Sequence, residues 1–158
     1  MFSARDPADL DRFFRGLAEH AFHGRLGVVD PPLVDYVSTL LVRFIRNEGL
    51  GPLPATHAVA GEAVTRMLGG DGEKPADAGV DDFRHIGDVT LFWTGLYPEA
   101  LRRSQRFDYR VAGKRAYWIA STLEPPDADA ERHLLERLSH EYDVCVAGLA
   151  EVRRAWEE

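Results

Sequence analysis

The chain has 158 residues, 45% of them hydrophobic and 28% charged, with a formal net charge of −7. That balance describes one folded domain able to bury about 70% of its unfolded surface, and it excludes a disordered chain. The acidic charge disfavours binding to nucleic acid or anionic membrane over the whole surface, the single cysteine excludes an internal disulfide, and no apolar run approaches the ~20 residues that span a bilayer.

In chain order, Asp6-Pro7-Ala8-Asp9 reads as an N-cap, a proline at the first helical position and an acid in the first turn. Leu10, Phe13, Phe14, Leu17 and Ala21 then follow one helical face, predicting a helix that ends near Gly24. The segment MFSARDPADLDRFF has no apolar core behind its charges, so no signal peptide is expected, and a cytoplasmic, reducing compartment follows. Arg25 to Val29 could form a very short extended piece. Asp30-Pro31-Pro32 repeats the capping device, and Leu33, Val37, Leu40, Leu41, Phe44 and Ile45 predict a second helix stopped by Asn47-Glu48-Gly49. A third, shorter helix is predicted over 56–68, and a polar loop over 70–80.

The stretch FRHIGDVTLFWTGLYPE (83–99) predicts a fourth helix, capped by Asp81 or Asp82 and apolar on both sides, hence buried on both sides. Its small residues Gly87 and Gly95 would let a neighbouring backbone come close. Pro98 restarts the chain into EALRR, a fifth helix is predicted over roughly 107–122, and a last one over 128–157. In that last helix Leu135, Leu138, Tyr142, Cys145, Leu149, Val152 and Trp156 are spaced 3-4-3-4-3-4, an a/d seam. The whole reads as a single all-α domain over 1–158, a bundle-like fold of about six helices with the apolar helix near 82–97 at its centre.

Several side-chain groups could carry chemistry. Asp82, His85 and Asp88 fall three apart on the central helix, an arc that could hold a divalent metal or tune a histidine as a base. The plainer reading pairs Asp88 with one of the arginines, because an unpaired buried carboxylate is too costly to keep. Arg102, Arg106, Arg110 and Lys114 repeat every four residues, with Arg103 and Arg115 beside them, the one concentrated basic segment in an acidic chain. It could take an anionic small molecule, or pair with the chain's own acids. His133, Glu136, His140 and Asp143 have metal-site spacing but fall outside the seam, and His20 and His23 suit the dipole at a helix C-terminus.

Enzyme signatures fail. No serine stands in a G-x-S-x-G elbow, and His140-Glu141 is followed at 144 by Val where a zinc protease needs His. The 71–82 segment has Pro75 and Ala76 where a calcium loop needs an oxygen ligand and glycine. Phosphate-binding and dinucleotide glycine motifs are missing. Nothing in the sequence names a cofactor.

HIGDVTLFWTGLYPEALRR (85–103) and DYRVAGKRAYWIAS (108–121) resemble a family of uncharacterised bacterial proteins that shares a G-D-x-x-L-F-x-x-G-x-[FY] block followed by a D-Y-x-x-x-G-x-x-[AS]-Y block. The resemblance implies a cytoplasmic helical protein and carries over no catalytic residue. The sequence as a whole leads to a non-catalytic binding or assembly module. Its partner would be another protein or a second copy in a homodimer, the copy being suggested by the regular seam. The alternatives are an anion-binding protein using Arg102, Arg106 and Arg110, or a metalloprotein using Asp82, His85 and Asp88.

Overall fold

The computed structural model describes residues 7–46, 79–101 and 109–157, and every regular element in them is helical. Helix α1 (Pro7–Glu19) runs directly into a π-helical turn (His20–Arg25). It is followed by α2 (Pro31–Ile45), α3 (Val80–Leu96), the single turn α4 (Pro98–Leu101), α5 (Tyr109–Leu123), α6 (Asp129–His140) and α7 (Tyr142–Glu157). Six of these helices exceed three turns among the described residues, and the fold is all-α and bundle-like, as expected. The helix expected over 56–68, the loop ahead of residue 79 and the Asp6 cap lie outside the described residues.

Local sequence sets the helix ends. Asp30 caps α2: its carboxylate accepts the Leu33 N–H at 3.3 Å, and Pro31 and Pro32 occupy the first two helical positions. The same carboxylate accepts Arg137 Nε at 2.8 Å, which ties α6 to the start of α2. Helix α3 begins two to three residues earlier than a cap at Asp81 or Asp82 would place it. Gly79, in extended backbone, is the cap, and Asp82 lies one turn inside, where it accepts the Gly79 N–H at 2.9 Å. The chain leaves α3 at Tyr97, because the ring of Pro98 disfavours helical backbone in the residue before it. Between the π-turn and α2 the chain turns at Gly27, whose φ of 67° suits glycine. No strand forms at 25–29: Arg25 closes the π-turn, and Val28 N–H bonds back to Phe22 O at 2.8 Å.

The expected final helix is broken at Glu141. Hydrogen bonding continues across the break, from Glu141 N–H to Arg137 O and from Cys145 N–H to Glu141 O. The two halves have different neighbours: α6 packs on α5, while α7 packs on α3, α1 and the π-turn. The seam from Leu135 to Val152 is buried throughout, and Trp156, 39% exposed, closes its end edge-on against Phe14 at 5.1 Å. The stripe that suggested a homodimer is therefore covered within one chain.

Helix α3 lies at the centre. It packs against α5, α7 and α2, and every residue from Ile86 to Leu96 is buried. Its glycines admit side chains, not the neighbouring backbone that their spacing suggested. A Cβ at Gly87 would meet the Tyr117 ring at 2.6 Å, and one at Gly95 would meet Leu149 Cβ at 2.6 Å. No helix of the described residues is long and apolar enough to cross a membrane.

Cys145 sits in the same core, and burial, with Glu141 and Asp30 nearby, pushes its thiol up to about 12. The native chain should therefore resist iodoacetamide and label only as fast as it opens. Rapid labelling of folded protein at neutral pH would contradict this packing.

Candidate functional site: the Asp88 network

The buried carboxylate expected on the central helix is present, and three helices serve it. Asp88, 2% exposed, projects from the middle of α3. On α2, Tyr36 and Arg43 are seven residues apart and so share a face. Tyr36 OH donates to Asp88 Oδ1 at 2.8 Å, and Arg43 Nη2 donates to Oδ2 at 2.9 Å. From α5, Tyr117 OH donates to Oδ1 at 2.7 Å. Both carboxylate oxygens are thus engaged. The Arg43 side chain is 40% exposed and lies over the Phe44 ring, so the network runs from the core outward along that guanidinium.

Electrostatics follow from this placement. Burial pushes the Asp88 carboxyl above its usual range, while the two phenols and the Arg43 guanidinium pull it back part of the way. Burial and the adjacent carboxylate hold the Tyr36 and Tyr117 hydroxyls above the ordinary phenol range, which keeps both as donors. The arrangement can orient three helices around one anion. Neither phenol is poised to act as a base.

A second buried pair stands two residues further along α3. Thr90 Oγ1 donates to Gly87 O at 3.0 Å and accepts from Tyr142 OH at 3.0 Å, which links α3 to α7. Gly113 on α5 makes room for this pair, since a Cβ there would collide with both hydroxyls.

The Asp82–His85–Asp88 arc does not assemble. At 3.6 residues per turn, positions i and i+6 stand roughly 120° apart. Asp82 is exposed and caps Gly79, His85 is exposed and meets the edge of Phe44, and only Asp88 turns inward. Among the described residues no group of three or more His, Cys, Asp or Glu could hold a metal ion. In the basic segment, Arg102 and Arg106 lie outside the described residues. Arg110 Nη1 and Lys114 Nζ grip the two oxygens of Asp143 at 2.9 and 2.7 Å, and hold that carboxyl below its usual range. This engages one acid of the 133–143 stripe internally. His140 lies tilted against Trp118, with ring centroids 5.7 Å apart, and His133 is exposed.

Sequence reasoning missed Tyr36, Tyr117 and the choice of Arg43 among 17 arginines. One signal was within reach. The two blocks quoted for the resemblance meet in the structure: Asp88 of the first bonds Tyr117 of the second, and Gly87 seats that ring. No protein-family model, curated protein or solved structure matches the chain.

Proposed function

We propose that this chain is a non-catalytic helical module for binding or assembly. The observation that supports the reading is the engagement of both Asp88 oxygens by Tyr36, Tyr117 and Arg43. The central acid then serves as a clamp among three helices, and recognition falls to the outer surface. There, α5 carries Val111 and Trp118 seven residues apart, 58% and 46% exposed, with Lys114 and His140 beside the indole. An aromatic anchor flanked by polar groups is the usual chemistry of a protein-binding face. The partner is a protein or a second copy of this chain, and the compartment is the cytoplasm, where the one cysteine stays reduced.

The alternatives gain no specific support. Arg110 is committed to Asp143, and Asp82, His85 and Asp88 point apart. Sedimentation over a range of concentrations tests self-assembly. Weight-average mass should rise with concentration, fall back to monomer in Trp118→Glu, and rise unchanged in Asp88→Asn. A monomer at every concentration would remove the homodimer.

A further inference from the structure

The junction of α1 and α7 holds a second site. At His20 the helix widens, and the Leu26 N–H reaches Ala21 O, five residues back. In a regular α-helix, positions 20 and 25 would stand roughly 140° apart. The wider turn brings His20 and Arg25 to the same recess, and single π-helical turns of this kind often sit at functional positions. Glu151 and Arg154 of α7 form the opposite wall, and Leu17 and Ala155 supply an apolar edge.

The charges are unbalanced. Arg154 Nη1 bonds Glu151 Oε1 at 2.6 Å. Arg25 Nε stands 3.9 Å from Glu151 Oε2, an ion-pair distance too long for a hydrogen bond, so its donors are available to another acceptor. Two guanidiniums thus face one carboxylate, which is only 20% exposed, and the His20 imidazole shares the recess. The recess encloses about 70 Å³. That is several times the roughly 10–15 Å³ that admits one water, and it is room for one small tetrahedral anion.

The geometry points to a phosphate-binding site formed by His20, Arg25 and Arg154, with Glu151 holding the arginines in place while it is empty. Planar guanidiniums bind such oxygens in a bidentate fashion, and Leu17 and Ala155 would lie against the carbon of a small phosphomonoester. This site is independent of the α5 face.

Inorganic phosphate titrated into the intact chain at constant ionic strength, read by amide chemical shifts, tests the assignment. Saturable shifts confined to 20–26 and 150–155 are expected. Arg25→Gln and Arg154→Gln should each weaken binding about tenfold, the value of one lost charge-assisted bond. Glu151→Gln should tighten it, since a competing carboxylate is gone; a merely structural Glu151 would not act in that direction. Phenyl phosphate distinguishes the source: tighter binding than inorganic phosphate assigns a phosphomonoester, and equal binding assigns the free ion. Shifts that stay linear, spread over the surface, or are unchanged in Glu151→Gln would overturn the proposal.

Discussion

Asp88→Ala should lower stability at neutral pH by about 3 kcal/mol, and Tm by roughly 6–12 °C for a chain of this size. The loss does not come from the charge itself. Burial pushes the Asp88 carboxyl upward, so its ionised form is less comfortable in the fold than in water. The penalty lies in what alanine leaves behind. Tyr117 OH and Tyr36 OH both donate to Oδ1; Tyr117 is fully buried, so its phenol is left without a partner, while Tyr36 is only partly buried and loses less. Arg43, 40% exposed, can turn outward and loses less.

Two variants separate these contributions. Asp88→Asn keeps an acceptor and should cost less than alanine. Asp88→Leu combined with Tyr36→Phe and Tyr117→Phe removes donors and acceptor together, and should recover most of the loss, because well-packed apolar replacements of buried ionic groups are often neutral or stabilising. Urea denaturation of the four proteins decides the matter. A triple variant no better than Asp88→Ala would mean that the polar contacts themselves supply the stability.

The pH dependence has a definite sign. The folded carboxyl lies above its ordinary value of 3.8, so the folded chain keeps the proton to higher pH than the unfolded one. The stability this adds is complete below 3.8 and is lost as pH rises through the folded-state value. The difference in unfolding free energy between the wild type and Asp88→Asn should therefore shrink as pH rises across that window. A difference that grew instead would show that Arg43 and the phenols outweigh burial.

Gly95→Ala should destabilise by about 2 kcal/mol although alanine is the better helix former. In isolation the change favours a helix by roughly 0.5–1 kcal/mol. Here the new Cβ would meet Leu149 Cβ at 2.6 Å and Cδ1 at 2.7 Å. Leu149 Cβ is fixed to the α7 backbone, so no rotamer relieves the contact, and α3 and α7 must separate. Gly16→Ala is the control. It lies on the exposed side of α1 with nothing within 4 Å of its Cβ position, and should stabilise by about 0.5–1 kcal/mol. The same pair of residues exchanged in two helices should give opposite signs in the shift of the urea midpoint. Equal signs would refute the α3–α7 contact.

That pair also marks how far the sequence could be read. Apolar periodicity located α1, α2, α3 and the final seam, because burying a stripe at helical spacing is a local necessity that any partner surface satisfies. Asp30-Pro31-Pro32 and Pro98 set element ends through bonds and clashes within a few residues. The two-sided apolar pattern of 83–97 made α3 central, and a partner for Asp88 followed from the cost of burying a charge.

Other features depended on which surfaces meet. The seam of 135–156 fits a dimer and a bundle equally, and only the packing of α6 on α5 and of α7 on α3 assigned it to one chain. The π-turn at His20–Arg25 leaves no mark in composition, yet it decides which charges face Glu151. Gly16 and Gly95 are indistinguishable in the sequence until Leu149 stands against one of them. Amino-acid order determined the helices and the need to neutralise Asp88, because backbone hydrogen bonding and hydrophobic burial act over a few residues. Tertiary structure chose Tyr36, Arg43 and Tyr117 for that task, because hydrogen bonds between residues 29 to 52 positions apart exist only once the helices have docked.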